Sequence, residues 1–138
     1  MARVDLNELF DIQAELNKKI GHLAPNTKVR DEEEQLIWMG GWLHNYIMAM
    51  QSEVEELRDC VYWKHWYKEA REGKRFYLKD INEAKKEVVD LLFFWMSMAQ
   101  VLGMTAEDVA TMYKEKAKVN HQRRDDDCST EEAKGYVR

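Results

Sequence analysis

Apolar residues recur along most of the chain at the three- and four-residue spacing of amphipathic helices. Residues 4–20 show this spacing first, and residues 35–59 continue it over a longer stretch. Such spacing places the apolar side chains on one face of a helix. Between Asp80 and Leu102 apolar residues occur almost all round the helix, which is typical of a central buried helix.

Short segments that disfavour regular helix separate these stretches. Gly21 and Pro25 follow the first, Gly103 ends the central one, and Thr105 is placed to cap a last helix that fades into residues 125–132. Residues 61–70 are rich in aromatics and are expected to form a short helix or a capping segment. No strand-like alternation is present. The pattern predicts an all-α, compact bundle of four to five helices, with apolar area left for an assembly such as a dimer to cover.

Composition and charge narrow the function classes. The chain has 138 residues, two cysteines and a formal net charge of −5, which fits a single domain over residues 1–124 followed by an acidic loop and tail over 125–138. No apolar run approaches the ~20 residues that cross a bilayer, and no basic and then apolar N-terminal segment suggests secretion. An acidic chain is not drawn to duplex DNA by its overall field. We therefore expect a cytoplasmic protein with neither a membrane nor a nucleic-acid partner.

Acidic pairs interrupt two of the apolar helices. Glu53-x-x-Glu56 lies in the second predicted helix, and Glu87-x-x-Asp90 lies in the central one. Residues three apart project from the same side of a helix, so packing of the two helices would gather four carboxylates. Desolvated carboxylates repel one another unless a cation lies between them. The all-oxygen set predicts a site for Mg²⁺, for which Mn²⁺ can substitute.

Other interpretations of these acids remain open. Asp90 stands inside an apolar run, where it is either a metal ligand or one half of a buried ion pair with a basic residue. A di-iron carboxylate bundle would require Glu-x-x-His pairs, and none of the four histidines has a glutamate three residues before it. A non-enzymatic helical interaction module, with the acids paired to lysines across a dimer interface, is the remaining alternative.

The acidic motifs resemble the signature of the all-α nucleoside triphosphate pyrophosphatases, which include MazG-like proteins and dimeric dUTPases. The resemblance spans roughly residues 6–136. Three further segments are similar to the dimeric dUTPase branch. They are the helix around Gln13-Ala-Glu-Leu-Asn17, the element Trp63-Lys64-His65-Trp66, and the stretch Lys116-Ala-Lys-Val-Asn120-His-Gln-Arg123.

The resemblance implies an enzyme, a substrate and a set of site residues. The reaction would convert dUTP to dUMP and pyrophosphate, with dCTP, both nucleotides, or a broad MazG-like range as alternatives. The assembly would be a homodimer or a dimer of dimers. The implied catalytic metal ligands are Glu53, Glu56, Glu87 and Asp90; the base or sugar contacts are Gln13, Asn17, Trp63 and Asn120; the phosphate contacts are Lys64, Lys116, Arg123 and Tyr136. Tyr136 departs from the branch pattern, since eleven residues separate Gly135 from Arg123.

Overall fold

A computed structural model describes residues 3–133 of the chain, with side chains described for residues 3–128. In this range the chain forms four α-helices and one short π-helical turn, and it contains no β-strand beyond a single isolated bridge. The predicted all-α class is therefore confirmed. The elements are α1 (Leu6–Lys19), α2 (Glu32–Arg58), the π-helical turn Ala70–Lys74, α3 (Ile81–Val101) and α4 (Ala106–Ala133).

Aspartate side chains begin three of the α-helices. Asp5 accepts a hydrogen bond from the backbone N–H of Asn7 at 2.9 Å, and Asp31 accepts one from Glu34 at 2.8 Å. Asp80 accepts two, from the N–H groups of residues 82 and 83. Each bond satisfies a donor that the first turn of a helix otherwise leaves unpaired. These caps fix where α1, α2 and α3 start.

The described structure divides into two compact units between Gly103 and Met104. In the first unit α3 packs along α2 and also contacts α1. The buried apolar side chains of this unit are Phe10, Tyr46, Cys60, Ala84, Met96, Ala99 and Val101. The expectation that the apolar residues of α3 make it a central buried helix is wrong for part of its surface, since Val88 and Val89 are each more than half exposed. One side of α3 forms the core, and another remains apolar and exposed.

The segment between α2 and α3 is a loop closed by backbone hydrogen bonds. Cys60 O accepts from Lys79 N at 2.8 Å, and Tyr62 and Tyr77 are joined by an N–H···O bond of 3.1 Å. At residues 61–70 the sequence predicts a short helix or a capping segment. The structure instead has irregular backbone as far as Tyr67, and the π-helical turn follows at Ala70–Lys74. The loop therefore begins and ends beside the facing ends of α2 and α3.

The second unit consists of α4. The sequence predicts an acidic loop from residue 125, whereas the helix continues through Asp125–Asp127 as far as Ala133. Gln122 donates a side-chain hydrogen bond to Asp126 one turn later, a pairing that helical spacing permits. The domain boundary at residue 124 stays a prediction. Within residues 3–133 no single helix is long and apolar enough to span a membrane; α3 and α4 meet that length and composition only when combined.

Candidate metal and nucleotide site

Three glutamates meet where α2 packs against α3. Glu53 and Glu56 come from α2 and Glu87 from α3, and one carboxylate oxygen of each lies within 4.8 Å of the other two. Glu87 is buried, Glu53 is half-buried and Glu56 is exposed, so the cluster runs from the helix interface to the surface. The three-residue spacing within α2 puts both of its acids on the side that faces Glu87.

The cluster has an unmet electrostatic requirement. The Oε2 atoms of Glu53 and Glu87 are buried, and no group in the described part of the chain donates a hydrogen bond to either. Hydrogen bonding with Glu53, then burial, then the charge of Glu56 raise the pKa of Glu87 to about 7. Two ionised carboxylates offer each other no donor, so either a shared proton or a cation must lie between them. A proton bound to Glu87 relieves the repulsion between the carboxylates, as a cation would, and the raised pKa reflects this.

These residues fit a hard divalent cation. All of the ligand atoms in the cluster are carboxylate oxygens, the type that Mg²⁺ and Mn²⁺ prefer, and no histidine or cysteine belongs to it. The donorless oxygens of Glu53 and Glu87 are available to such an ion. The structure therefore brings together three of the four predicted metal ligands.

Asp90 lies outside this group of three. It is half-buried one turn after Glu87, and the two residues line a cleft of about 450 Å³. Among the described residues Asp90 forms no ion pair. Its role as a metal ligand stays a prediction.

Gln13 and Asn17 form a buried amide cluster between α1 and α3. Gln13 Nε2 donates to Asn17 Oδ1 at 2.9 Å, and Asn17 Nδ2 donates to Ser97 Oγ at 3.0 Å and to Gln100 Oε1 at 3.1 Å. Sequence reasoning missed Ser97 and Gln100. The available signal was their position as polar residues inside the most apolar helix of the chain.

Trp63 and Lys64 lie in the loop after α2, within a group of aromatic rings. The Trp63 and Trp66 ring centroids are 6.3 Å apart, edge to face, and the Trp63 Nε1–H donates to Asp59. Lys64 Nζ lies between 5.1 and 5.8 Å from the centroids of Trp63, Trp66 and Tyr67. Hydrogen bonding with Tyr67 raises the pKa of Lys64, so the ammonium stays charged. The loop thus presents a cation beside flat aromatic faces.

A family model described as dUTPase matches residues 5–101, a range that contains the glutamate cluster, the amide cluster and the aromatic loop. The chain belongs to the dUTPase family. It is therefore a nucleoside triphosphate pyrophosphohydrolase, and the predicted membership of the all-α pyrophosphatases is confirmed.

A curated relative of this dUTPase-family enzyme is a dCTP pyrophosphatase from Enterobacteria phage LZ5. The two are 26% identical over 138 aligned positions, which cover 87% of this chain and 80% of the relative. No solved structure gives a significant match.

The other predicted contacts lie beyond the range that the dUTPase model matches. Lys116, Asn120 and Arg123 are exposed on α4, and the first two are one helical turn apart. Tyr136 lies outside the described residues. Whether these four complete the nucleotide site stays a prediction.

Proposed function

We propose that this dUTPase-family enzyme hydrolyses dUTP to dUMP and pyrophosphate with Mg²⁺ as its cofactor. The observation that carries the proposal is the cluster of Glu53, Glu56 and Glu87, whose oxygens lie within 4.8 Å of one another. Family membership supplies the reaction class. The acidic cluster supplies a place for the cation that a triphosphate requires.

The metal ligands in this proposal are the three clustered glutamates together with Asp90. When bound, Mg²⁺ supplies positive charge to the phosphates and a water of lowered pKa. Glu53 keeps one carboxylate oxygen free of the ion, and that oxygen accepts the proton of the attacking water. The water oxygen forms a bond to the α-phosphorus, the bond from that phosphorus to the bridging oxygen breaks, and pyrophosphate leaves with the electron pair.

Basic and polar side chains hold the remainder of the nucleotide. We assign the base or sugar to Gln13, Asn17, Trp63 and Asn120. Lys64, Lys116, Arg123 and Tyr136 hold the phosphates, where the cations offset charge on the leaving pyrophosphate. The assignment of Lys64 is supported by its charged state and its place on the loop after the first acidic pair.

dCTP is the second candidate substrate. It is favoured by the similarity to the phage dCTP pyrophosphatase, and an enzyme that accepts both nucleotides is a variant of the same idea. We place dUTP first because amide side chains complement a ring N–H flanked by two carbonyls. A broad MazG-like activity would instead predict comparable rates on several bases.

Pyrophosphate release from a panel of dATP, dGTP, dCTP, dTTP and dUTP, in Mg²⁺ and in EDTA, tests the proposal. We expect the highest kcat/KM for dUTP, no turnover in EDTA, and a loss of about 10²–10³-fold in Glu87→Gln. Glu55→Gln is the matched control, since Glu55 lies between the two α2 ligands but is exposed and pairs with Arg58. Turnover that survives EDTA or Glu87→Gln would contradict the metal site, and a dCTP preference would transfer the proposal to the second candidate.

We also propose that the enzyme is a homodimer or a dimer of dimers in the cytoplasm. Large apolar side chains exposed on α2 and α3 support the assembly, because a monomer rarely leaves so much apolar surface in water. Cys60 and Cys128 are both free, which fits a reducing compartment.

A further inference from the structure

A series of hydrogen bonds between α1 and α3 starts at a backbone carbonyl. Gln100 Nε2 donates to Phe10 O at 2.8 Å. A carbonyl oxygen can only accept, so the Gln100 amide must turn its NH₂ group towards Phe10. Its Oε1 atom then faces Asn17. The orientation of this amide is therefore fixed by an acceptor that cannot change its polarity.

The fixed Gln100 side chain determines the orientation of Asn17. Gln100 Oε1 requires a donor, and Asn17 Nδ2 supplies it at 3.1 Å. Ser97 Oγ adds a second acceptor at 3.0 Å, while its own O–H donates to the carbonyl of Phe93 at 2.8 Å. Turning the Asn17 amide over would bring two oxygens together at Gln100. Asn17 Oδ1 consequently points at Gln13.

Gln13 is the last member of the series. Its Nε2 donates to Asn17 Oδ1 at 2.9 Å, and its Oε1 has no partner among the side chains of residues 3–128 although the residue is only 6% exposed. Buried polar atoms nearly always have a partner, so this oxygen is left for a donor that the described part of the chain does not supply. The network therefore ends in a buried acceptor that lacks a donor.

We propose that Ser97 and Gln100 are positioning residues for base recognition, which hold the Asn17 and Gln13 amides so that Gln13 Oε1 accepts a hydrogen bond from the substrate base. The inference rests on the proposed function, in which Gln13 and Asn17 contact the base. Uracil offers a donor at ring position 3, where cytosine has an acceptor. A fixed acceptor at Gln13 facing that position selects uracil, whereas a free amide could turn over and accommodate either base.

Calorimetric binding of dUMP and dCMP tests this inference without turnover. We expect the wild-type protein to bind dUMP at least about tenfold more tightly than dCMP, since a mismatched buried polar pair is costly. Gln100→Met keeps the length of the side chain and removes both bonds, so the dUMP:dCMP ratio should fall to about threefold or less. Ser97→Ala should also lower the dUMP:dCMP ratio. In turnover of dUTP, both variants should raise KM about 3- to 10-fold and change kcat less than twofold.

Met96→Leu is the matched control, because Met96 is a buried apolar neighbour of Ser97 on α3. Its volume-conserving change should leave the ratio unaltered. Folded Gln100→Met and Ser97→Ala proteins that both keep the wild-type ratio would overturn the inference, as would a wild-type preference for dCMP or binding of neither nucleotide. Selective dUMP binding that is lost in Gln100→Met, in a protein that hydrolyses no dNTP, would uphold the inference while the proposed function fails. Hydrolysis of dUTP by the wild-type protein, with the same dUMP:dCMP ratio in both variants as in wild type, would uphold the proposed function while the inference fails.

Discussion

His22 is a buried histidine that directly follows the first helix. Its ring packs against Trp38, Trp42 and Tyr46, with ring centroids between 5.2 and 5.6 Å apart. Its Nδ1 lies 2.8 Å from the Tyr46 hydroxyl, while Nε2 is buried without a partner among the residues that the structure describes. Burial lowers the pKa of His22 below its ordinary value of 6.5. The imidazole is therefore neutral in the folded protein at neutral pH.

We expect acid to destabilise the protein through His22. An unfolded chain binds this proton with a pKa near 6.5 and the folded chain binds it with a lower pKa, so the stabilisation is complete above pH 6.5. It is lost as the pH falls through 6.5 towards the folded value, by at most about 1 kcal/mol between pH 7.5 and 5.5 after allowance for solvent screening. Urea unfolding across this range measures the effect.

Removal of the titrating ring provides the check. His22→Gln should lower stability at pH 7.5 and flatten its dependence on pH between 7.5 and 5.5. His44→Gln removes an exposed imidazole from α2 and should leave the wild-type slope intact. An equal slope in His22→Gln and wild type would contradict the prediction.

Single residues differ in how far the sequence reveals them. Glu53, Glu56 and Glu87 were predictable because a three-residue spacing is local and because acids inside apolar helices require a compensating group. Ser97 and Gln100 were not, since their partners Asn17 and Phe10 lie on α1, at least eighty residues away. Only the packing of α1 on α3 shows what these polar residues do.

At the level of the elements, the apolar spacing predicted four to five helices, and aspartate caps decided where α1, α2 and α3 begin. The sequence places the start of the second helix near Gln35, but Asp31 caps α2 so that the helix begins at Glu32, three residues earlier. Gly40 and Gly41 stay within α2 without interrupting it. The loop after α2 could not be predicted, because the backbone bonds that close it join residues fourteen to nineteen positions apart.

The cap of α3 matters because that helix carries Glu87 two turns later. Asp80→Ala removes the acceptor of two backbone N–H groups, so we expect a loss of about 1 kcal/mol in the free energy of unfolding. Asp80→Asn, which can still cap, should recover most of this loss. Chemical unfolding followed by circular dichroism gives both values.

Asp11→Ala is a suitable control for the cap, since Asp11 is exposed in the middle of α1. It removes the same charge without removing a cap and should change stability by no more than about 0.5 kcal/mol. A similar loss in Asp11→Ala and Asp80→Ala would mean that overall charge, and not capping, accounts for the effect.

At the scale of the molecule, the first unit leaves large apolar side chains of α2 and α3 exposed outside its core. Ile47, Met48 and Val54 of α2 line a groove of about 630 Å³ together with Met98 of α3. The sequence pattern showed that α3 is apolar almost all round. It did not show which side of α3 the other helices leave uncovered. Hydrophobic spacing indicates which side chains avoid water, but it does not identify the helix or the second chain that covers them.

The proposed dimer makes this groove a place to test assembly. Met48 is 53% exposed at the groove, and Met48→Glu would put a charge into a contact that has to be desolvated on association. We expect the wild-type protein to have twice or four times the mass of the chain in light scattering after gel filtration, and Met48→Glu to shift towards the mass of one chain. The mutant should remain folded, since Met48 contributes little to the core of its own chain.

Val29→Glu applies the same change in charge to a residue that is 99% exposed in the loop before α2, and it should leave the mass unaltered. A Met48→Glu protein with the wild-type mass would exclude the groove from the interface, and a monomeric wild-type protein would contradict the assembly itself.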